Sequence, residues 1–166
     1  MAVEYTNEGT LRVINPANLQ VLGEVRLSNP FEVPKVVNDA RLCVHFWSER
    51  GLSYRLGLIN RFRQVLLANR QAIATLITEE TGKPVMEALA SEIFGVMETC
   101  AWLKKNAPKL LKPQKVKLNS LMFAGKRSYN VMEPIGVVAI ISPWNFPFSI
   151  SESLFGHLRE PSHHKL

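Results

Sequence analysis

The sequence predicts an α/β fold: a layer of amphipathic helices, then a hairpin, then the opening strand and helix of a parallel sheet. Three observations lead there. Apolar residues recur at helical spacing from about Glu32 to Asn106. After Pro108 the period shortens to two. The run Pro134-Ile-Gly-Val-Val-Ala-Ile-Ile-Ser142 is then almost wholly apolar and β-branched, as in a strand covered on both faces.

In chain order, Thr10 to Ile14 alternates polar and apolar residues, Asn15-Pro16-Ala17-Asn18 is a turn, and Gln20 to Leu27 resumes a β pattern with Gly23 as a candidate bulge. Asn29-Pro30 breaks the chain. Val33, Val36, Val37, Ala40, Val44 and Trp47 then place a helix over about 32–49, with Pro34 in the first turn, where its missing N–H costs nothing. A second helix from about Ser53 carries Leu56, Ile59, Phe62 and Leu66. A third, from about Gln71, carries Ile73, Leu76 and Ile77.

Gly82 stops that helix and Pro84 restarts the chain as a fourth, over about 84–106, on the seam Val85, Leu89, Ile93, Met97 and Cys100. Glu87 and Glu92 early and Lys104 and Lys105 late follow the order the helix dipole favours. Strands are expected at 115–118, 120–123 and 128–132, turning around Ala124-Gly125-Lys126, and at 135–142. Ser149-Ile-Ser-Glu152 has capping-box spacing for a helix running on to Pro161.

The length of 166 residues fits one domain. With 46% apolar and 20% charged residues the composition is that of a globular chain, which excludes disordered and collagen-like classes. No apolar run approaches the roughly 18 residues of a membrane helix. The start of the chain has neither the basic nor the apolar region of a secretory signal. With two cysteines, Cys43 and Cys100, there is no disulfide framework, and a cytoplasmic location is expected. The net charge of +6 is uneven. Eight basic residues and no acid lie between Ala101 and Asn130, leaving twelve basic and fourteen acidic residues elsewhere. That stretch lacks the interleaved aromatic platforms of a single-strand binder, so a solvated face is expected there rather than nucleic-acid binding.

Ser142-Pro143-Trp144-Asn145-Phe146-Pro147 falls where an open α/β sheet places its ligands, in the loop after a strand's carboxyl end. Two prolines stiffen it and present an amide beside an indole. A rigidly held amide N–H stabilises charge developing on a carbonyl oxygen, an effect worth roughly 3 kcal/mol per donor. On spacing alone a plainer role stands beside this one, in which Trp144 and Phe146 simply plug a sheet edge.

The segment from Glu133 to Pro147 resembles the NAD(P)-dependent aldehyde dehydrogenase superfamily in the stretch that ends Pro-Trp-Asn-Phe-Pro. Asn15-Pro16-Ala17, Gly23-Glu24-Val25, the helix from Ala40-Arg41 to Trp47, and Glu80-Thr-Gly-Lys-Pro84 with Glu87-Ala88 and Glu92 agree in the same order, so nearly all of residues 10–150 resemble the family's amino-terminal portion.

The resemblance implies the opening strand and helix of a Rossmann-like cofactor domain, NAD or NADP as cofactor, and oxidation of an aldehyde to a carboxylate. Asn145 matches the family's oxyanion-hole asparagine. Ser142, Pro143 and Trp144, with Asn145, match the loop on the nicotinamide-ribose side, and Phe146 matches an aromatic near the substrate tunnel. The hairpin at 120–132 resembles an arm that projects from the cofactor domain toward a partner subunit, implying a projecting β-hairpin and a homo-oligomer or pairing with full-length relatives. Glu80 to Pro84 is taken as a helix stop and restart without a catalytic role.

The departures matter as much. The family's nucleophilic cysteine, general-base glutamate, ribose-binding lysine and pyrophosphate-binding glycine helix have no match in these residues. Neither Cys43 nor Cys100 has the nucleophile's setting, and His163-His164 is too thin for a metal site. The expectation is a truncated portion that is inactive alone, with residues 1–150 a partial cofactor-binding domain and 151–166 a divergent tail. A non-catalytic interaction protein is the alternative.

Overall fold

The computed structural model describes residues 2–6, 9–117, 123, 125–153 and 163–165. Three strands, β1 (Ala2–Tyr5), β2 (Thr10–Ile14) and β3 (Val21–Arg26), form an antiparallel sheet in chain order. Val13 pairs with Gly23 but Ile14 pairs with Val21, so Leu22 is an extra residue and the bulge falls beside the glycine that signalled it. At the β2–β3 turn the Asn15 side chain accepts the Ala17 N–H at 2.8 Å. The strand β1, which pairs with β2, was not foreseen.

Asn29 caps a short 3-10 turn by accepting the Phe31 N–H through its side chain, and α1 (Val33–Glu49) follows with Pro34 in its first turn. Gly51, at φ +66°, separates it from α2 (Gly51–Thr81). The two helices expected over 53–70 and from 71 are thus one helix of 31 residues. No glycine or proline lies between Leu58 and Thr81, and Leu66 and Ile73 stand two turns apart on one face, so nothing stops the helix at Arg70. Gly82 ends it in the left-handed conformation at φ +80°, and its N–H bonds the Thr78 carbonyl at 2.8 Å.

The next helical stretch runs as α3 (Val85–Glu87), a π-helical segment (Ala88–Phe94) and α4 (Gly95–Leu110). It continues a turn beyond the expected end at Asn106, with Pro108 tolerated in the last turn. The core forms where α2 meets this stretch. Leu66, Ala74 and Ile77 are buried against Ala88, Ile93, Val96 and Cys100, flanked by Ile59, Ile73, Val85, Leu89, Met97 and Phe148.

The hairpin is present as β4 (Gln114–Val116) antiparallel to β5 (Ser128–Val131). The strand expected at 120–123 lies outside the described residues except for Phe123, whose carbonyl accepts the Lys126 N–H at a turn. After the loop at 142–148 comes α5 (Ser149–Ser153), starting where the sequence placed it. The expected continuation toward Pro161 lies outside the described residues. Within the stretch expected to be a divergent tail, β6 (His163–Lys165) pairs antiparallel with β5.

The parallel strand expected at 135–142 is not formed, and both sheets are antiparallel. A strand exists only through a neighbour's N–H and C=O groups. The described residues offer this segment none, however strongly its composition favours one. It lies instead beside α1, and an apolar cleft of about 480 Å³ separates them, lined by Ala40, Cys43, Val44, Trp47, Val137 and Val138 among others. No residue of α1 is buried, and Ile141 is 94% exposed.

Candidate functional site

The second half of the loop 142–148 is held by two side chains, Lys83 from the turn after α2 and Glu92 from the helical stretch that follows. Glu92 lies in the π-helical segment and is completely buried (0% exposed). An acid in such a place needs partners for its charge and lone pairs, and Glu92 has three. Its Oε1 accepts from Lys83 Nζ at 2.5 Å, while Oε2 accepts the Phe148 N–H at 2.9 Å and the Ser149 N–H at 3.3 Å. The last two are free donors at the start of α5, so Glu92 caps that helix from outside, a task the sequence assigned to the Ser149–Glu152 spacing.

Lys83 follows the left-handed Gly82 and its side chain is 10% exposed. Besides Glu92, its ammonium donates to the Asn145 carbonyl at 2.8 Å and sits 4.3 Å from the centre of the Phe146 ring. One cation thus grips the loop at Asn145 and Phe146, and one carboxylate grips it at 148 and 149. A third tie closes the base. The Ser151 hydroxyl donates to the Pro147 carbonyl at 2.7 Å and lies 2.8 Å from the Ser142 hydroxyl.

The hydrogen bonds to Asn145 and Pro147 are made to their backbone carbonyls, which leaves the Trp144 and Asn145 side chains exposed. Asn145 is exposed and, among the described residues, its side-chain amide has no hydrogen-bond partner; Trp144 is 70% exposed. Phe146 turns back onto Lys83 and Phe148 packs on the core. Ser142 is half-buried with its hydroxyl engaged by Ser151. Ser142, Pro143, Trp144, Asn145 and Phe146 therefore do lie on one braced loop. The plugging role weighed for Trp144 does not fit its exposure.

The cysteines lie elsewhere: Cys43 is exposed on α1 and Cys100 is buried in the core. Glu80, half-buried near the end of α2, has its carboxyl pKa raised above the ordinary value by burial.

Lys83 and Glu92 were missed as loop-holding residues. Glu92 did carry a signal, because it directly precedes Ile93 and lies one helical turn from both Leu89 and Ala88, within the apolar seam. Lys83 carried none, since beside Gly82 and Pro84 it looks like part of a turn.

The mixed α/β scaffold matches part of known proteins. The model for the aldehyde dehydrogenase family matches residues 3–155, and the chain belongs to that family. Among curated relatives it is 35% identical over 156 residues to the 3,6-anhydro-alpha-L-galactose dehydrogenase of Streptomyces coelicolor, covering 90% of this chain and 30% of that protein. It is 30% identical over 142 residues to the 4,4'-diapolycopene aldehyde oxidase of a Methylomonas species, covering 86% of this chain and 27% of that protein. Of solved structures, an aldehyde dehydrogenase from Burkholderia cenocepacia superposes with a TM-score of 0.79 at 27% identity, over 90% of this chain and 30% of the other. A variant of the P. syringae indole-3-acetaldehyde dehydrogenase, in complex with NAD+ and IAA, gives 0.76 at 28% identity over 89% and 30%. The chain thus spans about 30% of the length of the relatives it matches. No helix among its described residues is long and apolar enough to cross a membrane.

Proposed function

We infer that this chain carries the oxyanion-stabilising part of an NAD(P)-dependent aldehyde dehydrogenase, with Asn145 as the donor. The observation that supports this is the division of labour in the loop: its backbone is tied down by Lys83 and Glu92 while the Asn145 amide is left with nothing to bond among the described residues. When a thiolate attacks an aldehyde, negative charge builds on the carbonyl oxygen. A fixed amide N–H aimed there lowers the barrier because it needs no rearrangement at the moment of reaction, by roughly 3 kcal/mol.

Ser142, Pro143 and Trp144 fit one end of a dinucleotide, the nicotinamide-ribose side, through the exposed face of the Trp144 indole. The described residues hold no glycine-rich cradle for a pyrophosphate. The nicotinamide, when bound, supplies the hydride acceptor. Phe146 lines the approach of a small aldehyde. Residues 135–142 and α5 are the opening strand and helix of the cofactor domain, and the strand forms when a neighbouring strand is present.

Thiolate attack and water activation require a nucleophile and a base. Cys100 is shut in the core and Cys43 has no activating partner among the described residues, so the chain by itself is expected to be inactive. Purified chain given NAD+ or NADP+ and a panel of aldehydes should form no reduced cofactor above the blank. Turnover that vanishes in Cys43→Ser or Cys100→Ser would sink this point. Titration with NAD+ or NADP+ should perturb the Trp144 indole N–H resonance at millimolar concentrations, and an indole that never responds removes the loop from cofactor binding.

The second reading, a non-catalytic protein that pairs with full-length relatives, is favoured by the β4–β5 hairpin. Co-purification with such a relative, lost when residues 117–127 are replaced by a short turn, is the result it requires.

A further inference from the structure

We propose that Lys83 and Glu92 form a buried ion-paired clamp that sets the position of the Asn145 amide, which makes both of them positioning residues; this rests on the reading of Asn145 as oxyanion donor. Neither touches the place where a substrate oxygen would lie. They act through the backbone of the loop, Lys83 on the Asn145 carbonyl and Glu92 on the Phe148 and Ser149 N–H groups.

The geometry allows little slack. The Asn145 carbonyl and the 148–149 amides are the two ends of a four-residue bend, and the clamp joins them through one Lys–Glu contact. Pulling Asn145 outward requires breaking a charge-assisted bond to a cation that is 10% exposed. Shifting the start of α5 strips two donors from a carboxylate with no access to water. The Phe146 ring, held against the same ammonium, fixes the residue next to Asn145.

The two clamp residues come from irregular backbone. Lys83 follows a left-handed glycine whose conformation favours that residue type; a Cβ there would also stand 3.3 Å from Pro16. Glu92 projects from seven residues of π-helix, a rare geometry that is frequent at functional sites. An ordinary surface ion pair needs neither device.

The test uses the chain as it stands, isotope-labelled, as wild type and as Lys83→Met, Lys83→Arg and Glu92→Gln. Two signals are followed by NMR: the Asn145 side-chain amide resonances, and hydrogen exchange at the Phe148 and Ser149 amides. Lys83→Met keeps the aliphatic stem and removes the charge. It should move or broaden the Asn145 amide signals, and Lys83→Arg should restore them in large part. Glu92→Gln should speed exchange at 148 and 149 by roughly 10- to 100-fold relative to the amides of Leu66, Ala74 and Ile77 in α2. Should Glu92→Gln fail to fold, the two Lys83 variants decide.

Unchanged Asn145 signals in Lys83→Met overturn the proposal. So does a loss of protection equal in α2 and the loop, because that is what a merely structural ion pair gives. No readout here depends on turnover. A flat result therefore removes the clamp and leaves Asn145 as donor untouched, while that assignment stands or falls with the oxyanion chemistry itself.

Discussion

Two parts of this molecule have comparable apolar content and opposite fates. Where α2 meets the π-helical segment and α4, the apolar stripes close on each other and bury Leu66, Ile93 and Val96 almost completely. Where α1 faces residues 135–141, the stripes stand apart across a cleft and leave Val36, Phe46, Ile135 and Ile141 exposed. Both stretches are strongly apolar in sequence. The difference is whether the chain supplies a surface of matching shape. Helices satisfy their own backbone and need only side-chain partners, whereas the apolar run at 135–141 needs a strand as well.

The largest expected effect breaks this comparison most directly. Leu66→Ala should cost about 2–5 kcal/mol in urea unfolding, because the core around it is closed and cannot collapse fully into the gap. Val36→Ala on α1 should stay within about 0.5 kcal/mol. Equal losses at the two positions would mean that α1 is covered in solution.

The next test concerns association. Exposed apolar groups next to unpaired backbone favour pairing between copies. Wild-type chain should sediment as more than a monomer and bind a hydrophobic dye, and Ile141→Lys together with Val138→Lys should reduce both. A wild-type monomer that ignores the dye and protects the amides of Val137 to Ile141 would show that this face closes on itself.

The smallest effect is one of pH and sharpens the picture at the better-packed end. Burial raises the Glu80 pKa in the folded chain, so the folded state holds that proton more tightly than the unfolded state. Stability from this group is full below the unfolded carboxylate pKa and is lost as pH rises through the folded one. Glu80→Gln should thus be more stable than wild type at pH 7, with the urea midpoints converging as pH falls through the carboxylate range. A difference that is constant with pH would place Glu80 in water.

Much of this was legible from local chemistry. Asn29, Pro34 and Gly82 act where they stand in the chain, and each marks a boundary the structure keeps. The bulge beside Gly23 and the start of α5 at Ser149 were readable for the same reason. What was not legible depends on partners distant in sequence. The junction expected near Arg70 fails because no residue there breaks a helix. The strand at 135–142 fails because strand character lies in pairing, and β5 pairs instead with β4 and β6. At the site, residue identities singled out the loop from Ser142 to Phe146 as chemically distinct. The way it is held, from Lys83 and from Glu92 fifty-six residues before Phe148, has no local signature.

The π-helical segment makes residues 88–94 a length-sensitive part of the chain. Each residue of an ordinary helix turns its successor by about 100°. A deletion of one residue inside this segment would turn it into plain α-helix, a favourable local change, and swing everything before it relative to everything after. Val96 and Cys100 could keep their places in the core only if Lys83 and Pro84 rotated away, or the reverse. Insertions and deletions are therefore closed along the whole of Ala88–Phe94, whereas substitutions are closed only at the buried Ala88, Glu92 and Ile93, because the segment works as a spacer whose count matters at every position.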